Sequence, residues 1–390
     1  MISQRLKQLR LARGFSLEAL AAQLGGVITK QALSKYEQGK IQPSARILTK
    51  LAAALGVKAA HLFAEPDIEV NFIAYRKASK MTKRDQDHVE SLVSHQLEER
   101  VRLQHLLYGS SGVDLPIGAF SISSIEAAEH AAMELRKRWD LGKDPIASLS
   151  GVLEDHFIHV LPIAAGKGFD GISAVAYAPE QEIVAAAAVT QSGVAGERQR
   201  LNLAHELGHL VLKLSDAVDE EKAAFRFGAA FLAPADVLFL EVGRHRTALN
   251  LEELLLLKQR FGMSIQALLY RLRDLGIIHD SYFRDWFIRL NGLGWRRQEP
   301  EELPAEQPQW LRQNVLRALS EKLLQHVEAE QLLQERIVIE QPLSLVERRA
   351  FMKLSLAERN RMLEEQAEKM VDFYEQDAEW RDLQGGDFLE

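Results

Sequence analysis

His205, Glu206 and His209 stand as H-E-x-x-H inside the run 201–214, LNLAHELGHLVLKL. On an α-helix, positions i and i+4 share one face, a single turn apart. Two imidazoles at that spacing can bind one tetrahedral metal ion. Glu206 lies about 100° round the helix from His205, close enough to act on a metal-bound water without being a ligand. Bound Zn²⁺ lowers the pKa of such a water from about 16 to about 7. A chain with 12 His and 55 Asp plus Glu among 390 residues carries such a triplet by chance about one time in twenty. The surroundings therefore have to support the reading. Leu203, Ala204, Leu207, Leu210, Val211 and Leu214 supply an apolar side that would seat the helix in a core.

Two histidines leave room for a third protein ligand and a water. The next stretch, 219–234, reads as a helix with acidic residues in its first turn that ends before Pro234. Glu220 and Glu221 both qualify on chemistry. The segment AHELGH followed by E-x-x-A-x-x-F-x-x-x-x-L-x-P resembles the ImmA/IrrE family of bacterial metallopeptidases. The pattern runs through Glu221, Ala224, Phe227, Leu232 and Pro234. The resemblance implies Zn²⁺ held by His205, His209 and Glu221, with Glu206 as the catalytic carboxylate and Glu220 in reserve. Phe225 departs from the family, which often has Asn there. No residue is fixed as the oxyanion helper; Tyr177 is the candidate.

Composition is that of an ordinary soluble protein, 47% hydrophobic and 26% charged. The absence of cysteine excludes disulfides and thiolate metal sites. No apolar run approaches the roughly 20 residues of a membrane span, and the first residues lack the apolar core of a signal peptide. A cytoplasmic, nucleoid-associated protein without a membrane partner is the expectation. The net charge of −7 is uneven: residues 1–65 hold ten Lys/Arg against three acids. A basic module on an acidic chain points to a nucleic-acid partner for that module.

Within that module the pattern predicts five short helices. Ser16 and Thr29 are N-caps, Gly25-Gly26 is a break, and the third helix covers Lys30 to Gln38. Helix, tight turn, helix is the layout of a helix-turn-helix DNA reader. The segments ALSKYEQGKIQPS and LTKLAAALGV closely resemble the Xre/Cro/lambda-repressor family. By that match Lys30, Gln31, Ser34 and Lys35 face bases and phosphates of a double-stranded operator, and the protein acts as a homodimer.

Residues 67–80 show no clear element, and Asp85 to Leu107 reads as a charged connector helix. Helices are expected at Ile125–Trp139 and Ile146–Asp155. Strands follow at Phe157–Leu161, Ile172–Tyr177 and Glu182–Val189. The order, with LRKRWDLGKDPI and FDGISA, is similar to the ImmA/IrrE core. A sheet edge beside the zinc helix would let an extended substrate add as a strand. Arg198 and Arg200 read as solvated charges with no role. Leu251–Phe261 and Ser264–Leu275 form a helical pair, and residues 298–309 read as a Glu/Gln/Pro linker. Beyond it, Trp310–Gln334 and Ser344–Tyr374 are helical. The last nineteen residues hold seven acids interleaved with aromatics, either a frayed end or a docking arm.

The expected fold is mainly α with a small β-sheet (α+β). It comprises a helix-turn-helix domain (1–66), a helical connector (67–112) and a zincin-like metallopeptidase core (113–235). A small helical module (236–297) and a helical C-terminal region with an acidic tail (298–390) complete it. Two functions fit. One is a DNA-binding regulator whose zinc endopeptidase cleaves a regulatory protein, a partner or itself in a stress, mobile-element or toxin-antitoxin response. The other is a non-proteolytic repressor or antitoxin that uses the zinc fold as a scaffold or sensor and covers a co-encoded toxin with its tail.

Overall fold

The computed structural model describes residues 2–65, 67–75, 81–109, 113–166, 168–337 and 345–364. They fall into two units, residues 1–335 and 336–390. Among the described residues, no single helix is long and apolar enough to cross a membrane.

The first unit starts with α1 (Ile2–Ala12), α2 (Leu17–Gln23), α3 (Lys30–Glu37), α4 (Ala45–Leu55) and a 3₁₀ turn at Ala59–Leu62. Ser16 Oγ accepts from Ala19 N at 3.0 Å and Thr29 Oγ1 from Ala32 N at 3.2 Å, so both expected caps form. Gly25 and Gly26 take φ of 66° and 72°, which a side chain would resist, and this makes the α2–α3 turn tight. Leu6, Leu9, Leu20, Leu33, Leu51 and Leu55 close the core. Arg10 grips Glu37 through two hydrogen bonds of 2.6 and 2.9 Å, which ties α1 to the end of α3.

Residues without an assigned element in the sequence form a strand, β1 (Glu69–Tyr75). Its alternation is short and interrupted, and pairing with a distant strand defines it. The connector helix α5 (Lys83–Tyr108) follows, then β2 (Phe120–Ile122), α6 (Ala127–Arg138) and α7 (Leu149–Asp155). Next come β3 (Ile158–Ile163), β4 (Gly171–Tyr177) and β5 (Ile183–Gln191). The main sheet has the order β1-β4-β5-β3, antiparallel except for the parallel β3–β5 pair. Helix α8 (Gly196–Val211) leads into β6 (Leu212–Leu214), which pairs in parallel with β2.

The sheet is covered on both faces. Val160, Val175, Ala186 and Ala188 pack with Leu203 and Leu207 of α8. Leu161, Ile172, Ala174, Ala187 and Val189 pack with Val89, Val93, Leu97 and Val101 of α5. This is why β5 reads IVAAAAVTQ: a strand buried on both faces loses its polar alternation.

After α8 come α9 (Glu220–Leu232), α10 (Ala235–Glu241), α11 (Leu251–Phe261), α12 (Ile265–Asp274), α13 (Asp280–Leu293), α14 (Trp310–Ser320) and α15 (His326–Leu333). The stretch 298–309 is no free linker. Leu303 O accepts from Gly196 N at 2.8 Å, and Glu197 accepts from Leu303 N at 3.0 Å. Glu306 accepts from Leu149 N and Ser150 N at 3.0 and 2.6 Å and pairs with Arg200. Arg200, expected to be solvated, is buried, and its second amino group donates to Ile146 O at 2.7 Å. Lys258, fully buried, joins Glu197 at 2.7 Å to Glu299 at 3.2 Å. The segment looked like a linker because carboxylates and backbone groups hold it, and these leave no hydrophobic period. Arg198, by contrast, is exposed and paired with Asp170.

The second unit contains α16 (Leu345–Lys353) and helix again over 356–364. The acidic tail lies outside the described residues.

Candidate functional site

Helix α8 turns its apolar side into the core and its histidines towards α9. Two glycines set the spacing between these helices. A Cβ on Gly208 would come within 3.1 Å of Ala224 Cα, and one on Gly228 within 3.0 Å of His205 N. Each helix therefore presents bare backbone where the other crosses it. Asp219 caps α9 by accepting from Lys222 N at 3.1 Å, which fixes the first turn that carries Glu220 and Glu221.

The resulting distances form a compact donor set. His205 Nε2 and His209 Nε2 are 3.0 Å apart. Glu221 Oε2 is 3.5 Å from His205 Nε2, and Glu221 Oε1 is 3.7 Å from His209 Nε2. Metal bonds of 2.0–2.2 Å at tetrahedral angles require donors about 3.4 Å apart, and the three groups fit that requirement. Two imidazoles and a carboxylate are also the donor chemistry of a divalent zinc site. Glu220 Oε1 lies 3.2 Å from His209 Nδ1, on the ring nitrogen facing away from His205. That is the position of an outer carboxylate that orients a metal-binding imidazole. Both histidines are almost fully buried.

Glu206 is buried beneath this group. Ser173 Oγ lies 2.5 Å from Glu206 Oε2 and 3.0 Å from Glu206 O, and Gly171 leaves no room for a Cβ against the same carboxylate. Sequence reasoning missed both residues. Their signal was two small residues in FDGISA, on the strand that passes the carboxylate. Tyr177 stands four residues beyond Ser173, about 13 Å along the strand at 3.3 Å per residue. The Phe225 ring lies 4.2 Å from the His205 ring and sets an apolar face beside it. Leu201 and Phe225 sit one turn from His205 and Glu221. Together with Ala229, Ala267 and Tyr270 they line a cavity of about 640 Å³.

β4 has no open edge. β1 takes one flank and β5 the other, so the sheet edge in contact with α8 belongs to β1.

A second donor group, His61, His95 and Glu98, joins the 3₁₀ turn to α5. Arg5 already bonds Glu98 at 2.6 and 2.8 Å and contacts His61 at 2.6 Å. A guanidinium there makes the place unsuited to a metal cation. Burial, with Arg5 and Arg102 nearby for His61 and with Arg13 and Arg5 for His95, lowers each ring's pKa to about 4.

On α3, Lys30, Gln31 and Lys35 are exposed and Ser34 is half-buried, accepting from Gln38 Nε2 at 3.0 Å. Lys30 pairs with Glu18 of α2. Leu33 faces the core, so the outward residues of α3 form one polar, basic strip.

Comparison with known proteins matches two parts of the chain. Residues 6–62 match the helix-turn-helix family, and residues 191–273 match the IrrE N-terminal-like domain of the M78 peptidases. Over 57 residues the chain is 46% identical to the SPbeta prophage-derived uncharacterized HTH-type transcriptional regulator YonR of Bacillus subtilis (strain 168). That overlap is 15% of this chain, which spans about half (51%) of that relative's length. No solved structure matches. The chain therefore carries an Xre/Cro-type helix-turn-helix domain at its N-terminus and an IrrE/ImmA-like M78 peptidase-family domain built around α8 and α9.

Proposed function

We propose that the protein is a DNA-bound transcriptional regulator and a zinc endopeptidase. One observation carries the peptidase half: two imidazoles and a carboxylate from successive helices converge, with a buried carboxylate beside them. His205, His209 and Glu221 would hold Zn²⁺, which when bound polarises a water and a peptide carbonyl. Glu220 orients the His209 ring. Glu206, held by Ser173, accepts a proton from the attacking water at its carboxylate and returns it to the leaving amine. Phe225 gives the His205 ring an apolar flank, while Glu220 and Glu221 face solvent at the mouth of the site. The substrate is a regulatory or partner protein, or the chain itself, met in a stress, mobile-element or toxin-antitoxin response.

The DNA half rests on α3, where Lys30, Gln31, Ser34 and Lys35 enter the major groove of an operator. Gln31 donates to and accepts from adenine, and the lysines meet guanine or phosphate. Operator symmetry would match a homodimer.

Glu206→Gln should keep zinc and DNA binding while proteolysis falls at least about 100-fold, the usual contribution of a general base. Casein and the chain itself serve as substrates, read by gel and mass spectrometry. Cleavage at the parent rate by this variant removes the mechanism.

A further inference from the structure

β1 lies where a peptide adding to β4 would lie. β4 runs past the buried carboxylate, with Ser173 bonded to Glu206 and Gly171 pressed against it. A peptide adding to β4 needs a free flank. β5 holds one flank throughout, and β3 is two strands away. β1 holds the other, antiparallel, from Glu69 opposite Tyr177 to Tyr75 opposite Ile172. Residue 74 is registered with Ser173. Opposed residues in an antiparallel pair are about 4.5–5.5 Å apart at Cα. The end of β1 thus crosses β4 at the residue that holds Glu206.

The hold is weak. The register slips between Phe72 and Ala74, leaving Ile73 as an extra residue. Such a bulge breaks the ladder locally. Ile73 and Asn71 are exposed, and Val70 and Phe72 are only partly buried against the α5 core. Replacing β1 with another extended chain exchanges one set of ladder hydrogen bonds for an equivalent set.

We propose that β1 is an internal occupant of the peptide groove: it closes the groove at rest and must leave β4 before a separate extended peptide can bind. The groove then takes its substrate as a strand antiparallel to β4. This rests on the peptidase reading of the α8–α9 site. β1 directly follows the DNA-binding domain, so the occupancy of the groove and the placement of that domain share one segment of chain.

The chain has no cysteine, so Asn71→Cys with Val175→Cys, an opposed pair, creates one disulfide that can be formed and reduced. Two probes are titrated into the zinc-loaded full chain by calorimetry. Acetohydroxamate is too short to reach β4; a leucine-containing peptidyl hydroxamate lies along it. The reduced protein should bind the peptidyl probe at least ten times more tightly than the oxidised protein, with acetohydroxamate binding both equally. Phe72→Asp in the otherwise native chain should also tighten the peptidyl probe. Equal peptidyl affinity in oxidised and reduced protein overturns the proposal and leaves the peptidase reading intact. Failure of acetohydroxamate to bind either form removes the peptidase reading and the proposal with it.

Discussion

The contact between α8 and α9 can be tested with one methyl group. In a helix interior, Gly→Ala ordinarily stabilises by about 0.5–1 kcal/mol. At Gly228 the new Cβ would lie 3.0 Å from His205 N, 3.1 Å from Ala204 C and 3.3 Å from Ala204 Cβ. Two of these neighbours are backbone atoms inside a buried helix and cannot swing aside. Relief to an ordinary contact near 3.5 Å needs the helices to part by several tenths of an ångström. Overpacking of this kind costs about 1–3 kcal/mol, which outweighs the propensity gain. Gly228→Ala should therefore lose about 1–2 kcal/mol net. The same displacement moves His205 relative to Glu221, already 3.5 Å apart, so zinc affinity should fall as well. The control is Gly292 in α13, where a Cβ meets nothing within 4 Å, and Gly292→Ala should stabilise. Urea unfolding and competitive zinc titration read the two effects. If Gly228→Ala is as stable as Gly292→Ala and binds zinc like the parent, the argument that bare backbone sets this helix spacing is wrong.

Three further outcomes are expected. Arg200→Ala removes the cation paired with Glu306 in a largely buried place and leaves that carboxylate with only the Leu149 and Ser150 amides, costing about 3 kcal/mol. Urea denaturation should show this, and Arg200→Lys should not restore it because the forked donor set is lost. Lys35→Ala should weaken binding to any duplex and reduce the slope of log affinity against log salt by about 1, measured by fluorescence anisotropy. An unchanged slope means that Lys35 does not face phosphate. The joint between the first domain and α5 should loosen in acid. His61 and His95 are held neutral down to about pH 4 in the fold but titrate near 6.5 when unfolded. The unfolded chain therefore binds more protons between those values, and stability falls as pH drops from 6.5 towards 4. Hydrogen-exchange protection in α1 and α5, taken relative to the intrinsic amide rate at each pH, should fall over that window, and less so in His95→Gln; protection that ignores pH there refutes the assignment.

Local chemistry was readable from the sequence alone. The spacing of His205, Glu206 and His209 needs only the pitch of a helix, and the caps at Ser16 and Thr29 need only a side-chain oxygen three residues before an amide. The glycines after α2 mark a turn for the same local reason. Each of these signals acts over one or two turns of chain. What lay outside the reach of pattern was every partnership across the chain. Glu220 and Glu221 are chemically equal on paper, and their different geometry around the histidines depends on how closely Gly208 and Gly228 let two helices cross. Ser173 and Gly171 acquire meaning only because β4 passes under Glu206. Residues 298–309 looked like a linker and Arg200 like a surface charge, because a buried ion pair leaves no period in either strand of sequence that makes it. β1 shows the limit most plainly: seven residues with little pattern of their own became a strand when β4, a hundred residues later in the chain, offered its backbone as a partner. Periodicity records which face of an element is buried, whereas only the folded chain decides what that face is buried against.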